Sequence, residues 1–177
     1  FNLGVIVDQG VYVERDPLVA AYYWRLAMQQ MYPQAAFNLA LLLESGEVIE
    51  QFVGERVQCY SLAATQGNAQ AQFKLGFMFD TGDGLASDAD QAAKWYYEAA
   101  NQGHPEACNN LARCFALGEG VVRSDIEAYR WFSIAAQLGV ASAARSRERV
   151  AKELSAENRI TAGNLSDQWL SIFRNHS

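Results

Sequence analysis

The sequence predicts an all-α fold in which helical hairpins stack into a solenoid, and three observations lead to it. A step of 36 residues aligns much of the 177-residue chain without a gap, and it places one leucine in each copy at Leu3, Leu39, Leu75 and Leu111. Apolar residues within each unit recur at helical spacing, and glycine, aspartate or proline separates these segments. A hairpin of this size cannot bury its own apolar face, so the copies must stack on each other.

The first helix of a repeat is clearest in residues 69–104. Its apolar residues, spaced by 4, 3 and 1 positions, fall on one helical face: Ala71, Leu75, Met78 and Phe79. Gly82 and Gly84 follow, and glycines at such positions end a helix and form a turn. The position of Gly82 is also glycine in the other copies: Gly10, Gly46 and Gly118.

The second helix is predicted to begin after Asp88, whose carboxylate can accept hydrogen bonds from free backbone N–H groups. It ends at Gly103, and Pro105 suits the first turn of the following helix. One side of the second helix carries Ala92, Trp95 or Tyr96, and Ala99. The alanines allow two helices to approach closely, and we expect the large rings, Trp95 among them, to fill the wedge between neighbouring hairpins.

The period also predicts the domain organisation. The array runs over residues 1–140, as a partial first repeat and three full ones: 1–32, 33–68, 69–104 and 105–140. Residues 141–177 are predicted to form C-terminal capping helices, because they carry an apolar stripe suited to covering the last layer: Ala162, Leu165, Trp169 and Ile172. Phe1 already occupies a position inside a helix, so we expect the array to begin before residue 1.

This pattern resembles the Sel-1-like repeat, which has the form A-x-x-x-L-G-x-x-x-x-x-G-x-G-V-x-x-D-x-x-x-A-x-x-W-Y-x-x-A-A-x-x-G. Residues 71–103 match it nearly throughout, and residues 107–139 match it with the acidic residue shifted by one, to Asp125. The resemblance implies a right-handed α–α superhelix similar to that of tetratricopeptide repeats. The aspartate after G-x-G-V is more similar to bacterial members of the family.

The copy at residues 33–68 departs most from the pattern. Val48 replaces the second glycine, Phe52 replaces the capping aspartate, and Gly54 falls early in the expected second helix. Cys59 stands at the position that Trp95 occupies in the next copy. We therefore expect this repeat to be the loosest of the array.

Composition excludes several classes of protein. The net charge is −6, with −8 in residues 1–144 and +2 in residues 145–177. Such an acidic body lacks the dense basic surface that nonspecific nucleic-acid binding requires. No apolar run approaches the roughly 18 residues that a membrane-spanning helix needs. Half of the residues are hydrophobic, which is enough for a continuous core.

The cysteines and histidines predict neither a disulfide framework nor a metal site. The three cysteines are an odd and sparse set: Cys59, Cys108 and Cys114. In a cysteine-rich branch of the resembled family, cysteines eight residues apart bridge the two helices, but the position eight before Cys108 is Ala100. His104 could share a metal with Cys108, yet Pro105 places it in a turn, and no further ligand is near in sequence. We expect buried thiols and no cofactor.

The remaining candidate site is the concave surface, which the first helix of each pair forms in related helical repeats. By analogy with tetratricopeptide repeats, its early half is aromatic and apolar, with Phe37, Leu41, Phe73 and Phe77. Its late half offers amide and cationic donors: Asn109, Asn110, Arg113, Arg145, Arg149 and Lys152. The alternatives are packing between repeats for the phenylalanines and a solvated helix face for the basic stripe.

These residue types suit an extended protein or peptide segment that has apolar residues and an acidic group or free carboxylate. The resemblance implies a noncatalytic adaptor or scaffold. Recognition of a cell-wall or glycan ligand by the aromatic half is an alternative. Some members of the family have been linked to β-lactam hydrolysis, but the sequence contains no S-x-x-K, G-x-S-x-G or H-E-x-x-H motif. We therefore predict that the chain is not an enzyme.

Overall fold

The computed structural model describes residues 1–52 and 54–176, and this part of the chain contains helices and no strands. The predicted all-α fold is confirmed, and it is an α–α superhelix. The helices are α1 (Asn2–Gln9), α2 (Pro17–Gln29), α3 (Pro33–Ser45), α4 (Glu55–Thr65), α5 (Ala69–Thr81), α6 (Ala89–Asn101), α7 (Pro105–Leu117), α8 (Asp125–Gln137), α9 (Ala141–Ala151) and α10 (Ala156–His176).

The chain divides into two compact units, Phe1–Ala86 and Ser87–Ser177. In the first unit each helix from α1 to α4 packs on the next helix in sequence. In the second unit α6 packs on α7 and α7 on α8, and α8 contacts both α9 and α10. Neighbours in sequence are therefore neighbours in space within each unit, as stacked hairpins require.

The helix ends lie where the sequence predicts them. Asp88 is the N-cap of α6, and its carboxylate accepts a hydrogen bond from the Gln91 N–H at 3.0 Å. Pro105 is the first residue of α7. The glycine of each repeat ends its first helix in a left-handed conformation, with φ between 67° and 76°, at Gly10, Gly46, Gly82 and Gly118. Local chemistry thus sets the helix lengths.

A buried ring recurs one residue after the position of Trp95. Trp95 is only half-buried, with the Lys94 Nζ 5.6 Å from its ring centroid, whereas Tyr96 is fully buried. At the position of Trp95 in the next copy, Trp131 is buried and meets Tyr97 of the preceding second helix edge-on, as expected of a ring between hairpins. The buried rings recur at a step of 36 residues: Trp24, Tyr60, Tyr96 and Phe132.

Small residues lie where the two helices of a hairpin approach each other. A Cβ added to Gly4 of α1 would lie 2.5 Å from the Trp24 Nε1, so only glycine permits this distance between α1 and α2. The corresponding residues of the later copies are also small and buried: Ala40, Gly76 and Ala112. The alanines of the second helices are buried as predicted: Ala27, Ala63, Ala99 and Ala135.

The repeat at residues 33–68 begins its second helix by an ion pair instead of a capping aspartate. Gly54 lies just before α4 with φ 86°, so the helix begins at Glu55 and has 11 residues where α6 has 13. The buried Glu55 carboxylate accepts hydrogen bonds from the Arg25 Nε at 2.7 Å and from the Gln51 N–H at 2.8 Å. Glu50 of the same repeat also accepts hydrogen bonds from the Gly54 and Arg56 N–H groups, so the start of α4 is held both from within the repeat and from α2.

The helix α10 packs on α8 mainly through aromatic rings. The Trp169 ring stacks on Phe173 at 5.0 Å and meets the buried Trp131 edge-on at 5.8 Å. Ala162 and Leu170 are buried, but Ile172 is exposed. The predicted apolar stripe is therefore wrong at Ile172, because the buried side of α10 passes through Leu170 and Phe173 and turns Ile172 outwards.

Tyr96 and Trp95 give a direct test of this packing. We expect Tyr96→Ala to lower the free energy of unfolding by about 3–5 kcal/mol, since it removes a fully buried ring. Trp95→Ala should cost less than half as much, because that ring is partly solvated. Urea denaturation of both variants measures the difference, and a larger loss from Trp95→Ala would contradict the assignment of Tyr96 to the core.

Gly120 is a second test, because its backbone touches another hairpin. It has φ 68°, and an added Cβ would overlap the Ala89 carbonyl at the start of α6. Gly67, with φ 88°, is the control, since nothing lies within 4 Å of its Cβ position. Gly67→Ala should cost about 1–2 kcal/mol for the left-handed conformation alone. Gly120→Ala should cost a further ~1–3 kcal/mol, because the added methyl group overpacks the contact with Ala89. Thermal or urea unfolding measures both variants, and an equal loss of unfolding free energy in the two would show that this contact is not tight.

The Arg25–Glu55 pair makes stability depend on pH. Burial by itself raises the pKa of the Glu55 carboxyl, but hydrogen bonds from Arg25 and the Gln51 N–H outweigh it and hold the pKa below its ordinary value of 4.5. Such a group stabilises the fold above the unfolded pKa and loses this contribution as the pH falls through the folded pKa.

Glu55→Gln leaves the half-buried Arg25 without its anion and should cost about 1–3 kcal/mol near neutral pH. The difference in unfolding free energy between wild type and Glu55→Gln should then shrink as the pH is lowered below 4.5. Urea denaturation across this range measures it, with the exposed Glu14→Gln as the control variant. A difference that does not vary with pH would contradict the assigned direction of the pKa shift.

Candidate functional site

The predicted site residues fall into two groups, one in each compact unit. The four apolar residues lie in Phe1–Ala86, and the six polar or cationic residues lie in Ser87–Ser177.

Phe37 lies in the interior of the first unit. Its ring is buried and meets the Tyr60 ring edge-on, with 6.3 Å between the ring centroids. The ring therefore serves to pack the interior, which was the alternative to a binding role, and it offers almost no surface to a partner. Whether a phenylalanine of α3 points inwards depends on Tyr60 of α4, a residue that the spacing within α3 does not identify.

Leu41 and Phe77 are exposed and Phe73 is half-buried, so these side chains do present apolar surface. Leu41 lines a cleft of about 290 Å³ together with Trp24 and Val5. Phe73 and Phe77 line a smaller cleft of about 160 Å³. The structure thus assigns the apolar residues of the first unit to two separate depressions.

A charged network borders the cleft of Phe73 and Phe77. The Glu44 carboxylate accepts a hydrogen bond from the Lys74 Nζ at 2.6 Å and another from the Tyr60 hydroxyl. Burial raises the pKa of Glu44, but the hydrogen bonds from Lys74 and Tyr60 outweigh it and lower the pKa overall. The rim of this cleft therefore carries a carboxylate and an ammonium group that already form an ion pair with each other. The sequence reasoning did not find the pair of Glu44 and Lys74, because a contact with a residue of the next copy gives no local signal.

The second unit contains a larger cleft, of about 430 Å³, at the junction of α7, α8 and α9. Its apolar lining comes from Ala116, Leu117, Phe132 and Val150. Its charged lining comes from Arg113, Arg123, Asp125, Arg149 and Glu153. Three guanidinium groups therefore surround an apolar floor, together with two carboxylates.

The three arginines differ in whether a nearby carboxylate balances their positive charge. The Arg113 Nη1 lies 2.7 Å from a Glu119 carboxylate oxygen, and the Arg123 Nη2 lies 3.2 Å from the Asp125 Oδ1. Within residues 1–52 and 54–176, no ion pair is described for Arg149, which is exposed in the last turn of α9. Arg149 is consequently the guanidinium of this cleft best able to take a new anion.

Of the six residues predicted in this unit, the cleft brings together Arg113 and Arg149. Arg145, in the middle of α9, and Lys152, just after its end, are exposed and do not line the cleft. Asn109 and Asn110 are half-buried on α7, where the Asn109 Nδ2 donates a hydrogen bond to the Asn110 Oδ1 at 3.4 Å. The sequence reasoning missed the other lining residues, among them Arg123, Asp125, Phe132 and Glu153, because they come from a turn, from α8 and from the segment after α9, which no single helical spacing connects.

The thiols lie in the interior. All three cysteines are free and buried, as expected, and burial raises the pKa of Cys59 and of Cys108 to about 12. The Cys108 Sγ donates to the Ala100 carbonyl at 3.7 Å, which is where a bridging cysteine would stand in the cysteine-rich branch. Neither of these thiols is a reactive nucleophile near neutral pH.

His104 is the N-cap of α7, and its Nδ1 accepts a hydrogen bond from the Ala107 N–H at 3.4 Å. Burial lowers the pKa of His104. Among the described residues, no three His, Cys, Asp or Glu side chains are grouped so that they could hold a metal ion. In the same residues, every helix is too short or too polar to cross a bilayer.

Comparison with known proteins gives a family and a fold. The family model of the Sel1 repeat matches residues 1–30, 33–56, 57–68, 69–104 and 105–140. No match was found among curated proteins. A Sel1 repeat protein from Oxalobacter formigenes has a solved structure that is 27% identical, with a TM-score of 0.76, over 94% of this chain and 68% of that protein.

Two further solved structures are similar. A protective antigen of uropathogenic Escherichia coli with an SLR fold is 26% identical over 97% of this chain, with a TM-score of 0.58, and the chain spans 44% of that antigen's length. Cysteine-rich protein B of Helicobacter pylori is 24% identical over 70% of this chain and 94% of its own length, with a TM-score of 0.56. The last similarity shows the fold alone.

Proposed function

The chain belongs to the Sel1 repeat family, and we propose that it is a noncatalytic adaptor whose α7–α8–α9 cleft binds an acidic group of a partner protein. Proteins of this family are protein-interaction scaffolds. The observation that carries the proposal is the placement of Arg149 beside an apolar floor in a cleft of about 430 Å³.

The chemistry of the cleft favours one carboxylate and one apolar side chain. A guanidinium donates two parallel hydrogen bonds to a carboxylate, and it does so more strongly where apolar walls exclude water. Phe132 and Val150 supply such walls next to Arg149. Glu153 lies on the same rim and would repel a second carboxylate, so a free chain end or a single acidic residue fits better than an acidic run.

The first unit offers apolar surface of its own. Leu41 and Phe77 are exposed there, and they would take hydrophobic side chains of a partner protein. Phe37 is left out, because its ring is buried. Arg145 and Lys152 would add long-range attraction for an acidic partner without direct contact, since both are exposed on α9.

A peptide-binding assay tests the cleft. Labelled pentapeptides that end in leucine or phenylalanine would be titrated as free acids and as amides, with binding followed by fluorescence anisotropy. We expect the free acids to bind at least about tenfold more tightly, which corresponds to ~1.4 kcal/mol. The charge reversal of Arg113 and Arg149 to glutamate should remove this preference.

Arg159→Glu is the matched control, because Arg159 is an exposed arginine of α10 that does not line the cleft. It should leave peptide affinity unchanged, and thermal unfolding should be nearly the same for all variants. Equal affinity of the double charge reversal and the wild type would refute the proposed role of the cleft.

A further inference from the structure

One position of the repeat lines a cleft in every copy. At the step of 36 residues it is occupied by Val5, Leu41, Phe77 and Arg113. Val5 and Leu41 line the cleft of about 290 Å³, Phe77 lines the cleft of about 160 Å³, and Arg113 lines the cleft of about 430 Å³. The residue type at this position therefore contributes to the chemistry of each cleft, and in the third copy it is an exposed aromatic ring.

The cleft at Phe77 is built partly on side chains of the core. Its lining comes from α3, α4, α5 and the turn after α5, and we call it the Phe77 cleft. Tyr60 and Met78 are 1% and 2% exposed, whereas the Phe77 side chain is 45% exposed. Packing of the core holds the two buried side chains in place, so this part of the cleft does not have to be ordered when a partner binds.

The charged groups of the Phe77 cleft are paired with each other. The Lys74 Nζ lies 2.6 Å from a Glu44 carboxylate oxygen, and the Arg56 Nη2 lies 2.7 Å from the Asp83 Oδ1. The Tyr60 hydroxyl also donates a hydrogen bond to Glu44. A charged occupant would meet two positive and two negative groups, so it would gain no net attraction. The rim therefore favours an uncharged side chain.

The apolar lining favours an aromatic ring over an aliphatic side chain. An aromatic occupant can pack against Phe73 or Phe77, and pairs of rings are stabilised beyond the area that they bury. The Met78 thioether also makes favourable contacts with aromatic rings. An apolar cavity of about 150 Å³ takes one benzene molecule, so a cleft of about 160 Å³ has room for one phenyl ring.

We propose that the Phe77 cleft receives the side chain of one phenylalanine of a partner protein. The phenyl ring covers Phe77 and Met78 and leaves both ion pairs of the rim in place. This inference rests on the proposed function in that the occupant belongs to a partner protein, and it adds the residue type. It does not depend on the α7–α8–α9 cleft, which other residues line.

The methyl signals of methionine test the Phe77 cleft in the intact chain. The sequence contains three methionines, Met28, Met31 and Met78, and of these Met78 lines the cleft. The chain with isotope-labelled methionine methyl groups would be titrated with N-acetylphenylalaninamide, an uncharged form of phenylalanine, and followed by NMR. We expect the ring current of the bound phenyl group to shift the Met78 signal saturably, while the signals of Met28 and Met31 stay unchanged.

Two further probes test the chemistry of the occupant. N-acetylleucinamide should bind at least about threefold more weakly than the phenylalanine amide, because it makes no contacts between rings. N-acetylphenylalanine, which carries a free carboxylate, should bind no more tightly than the amide, because the charges of the rim are balanced.

Variants test the position of the site. Phe77→Ser should remove the saturable shift of Met78, with thermal unfolding as the check that the variant is folded. Ile49→Ser is the control, because Ile49 is 83% exposed and does not line the cleft. The double charge reversal at Arg113 and Arg149 should leave the Met78 response unchanged, so failure of this inference and failure of the α7–α8–α9 cleft are seen separately.

Four results would overturn the inference. They are a Met78 signal of the wild type that does not shift saturably, equal affinity for the leucine and phenylalanine amides, tighter binding of the free carboxylate, and a folded Phe77→Ser variant that keeps the full response. A shift of Met78 with N-acetylglucosamine but not with the phenylalanine amide would assign the cleft to a glycan instead. The titrations of the wild-type chain decide the matter without any variant.

Discussion

The fold depends on the fit between a small residue on one helix of a hairpin and a large ring on the other. Gly4 against Trp24 shows the constraint in its strictest form, since even a methyl group on Gly4 would overlap the indole. The later copies have a buried alanine or glycine at the same position of the first helix, and a buried ring at the same position of the second: Tyr60, Tyr96 or Phe132. The ring fills the volume that the small residue leaves, and the two together set the distance between the helices.

This constraint limits where a binding site can form. The inward sides of the helices are occupied by rings and methyl groups, so partner-facing chemistry is left to outward positions and to the turns. The cleft of the second unit illustrates this, because it combines the end of α7, the turn before α8 and the last turn of α9. Its arginines need no polar group of the core, and changes in them leave the packing of the hairpins intact.

The sequence predicts the features that depend on neighbours along the chain. The capping role of Asp88 and the left-handed conformation of Gly82 can be predicted, because each depends on the residue type itself. Trp95 and Tyr96 could not be told apart, since both are aromatic and adjacent helical residues differ only by about 100° in direction. Arg123 and Glu153 join one cleft from segments that no period relates, and Phe37 is buried through Tyr60 of another helix. Each of these depends on where a distant segment lies.

The contact of Arg25 with Glu55 has a consequence for how such arrays change in evolution and in engineering. Repeat arrays gain and lose copies by duplication and deletion, which works when each copy carries its own folding instructions. The segment from 69 to 104 does so, since Asp88 starts its second helix from within. The segment from 33 to 68 does so only in part: its Glu50 accepts hydrogen bonds from the Gly54 and Arg56 N–H groups, but its buried Glu55 takes its guanidinium partner from α2. Transplanting this segment without α2 would leave that carboxylate buried and unpaired. These two copies are therefore not interchangeable modules, although they share one period.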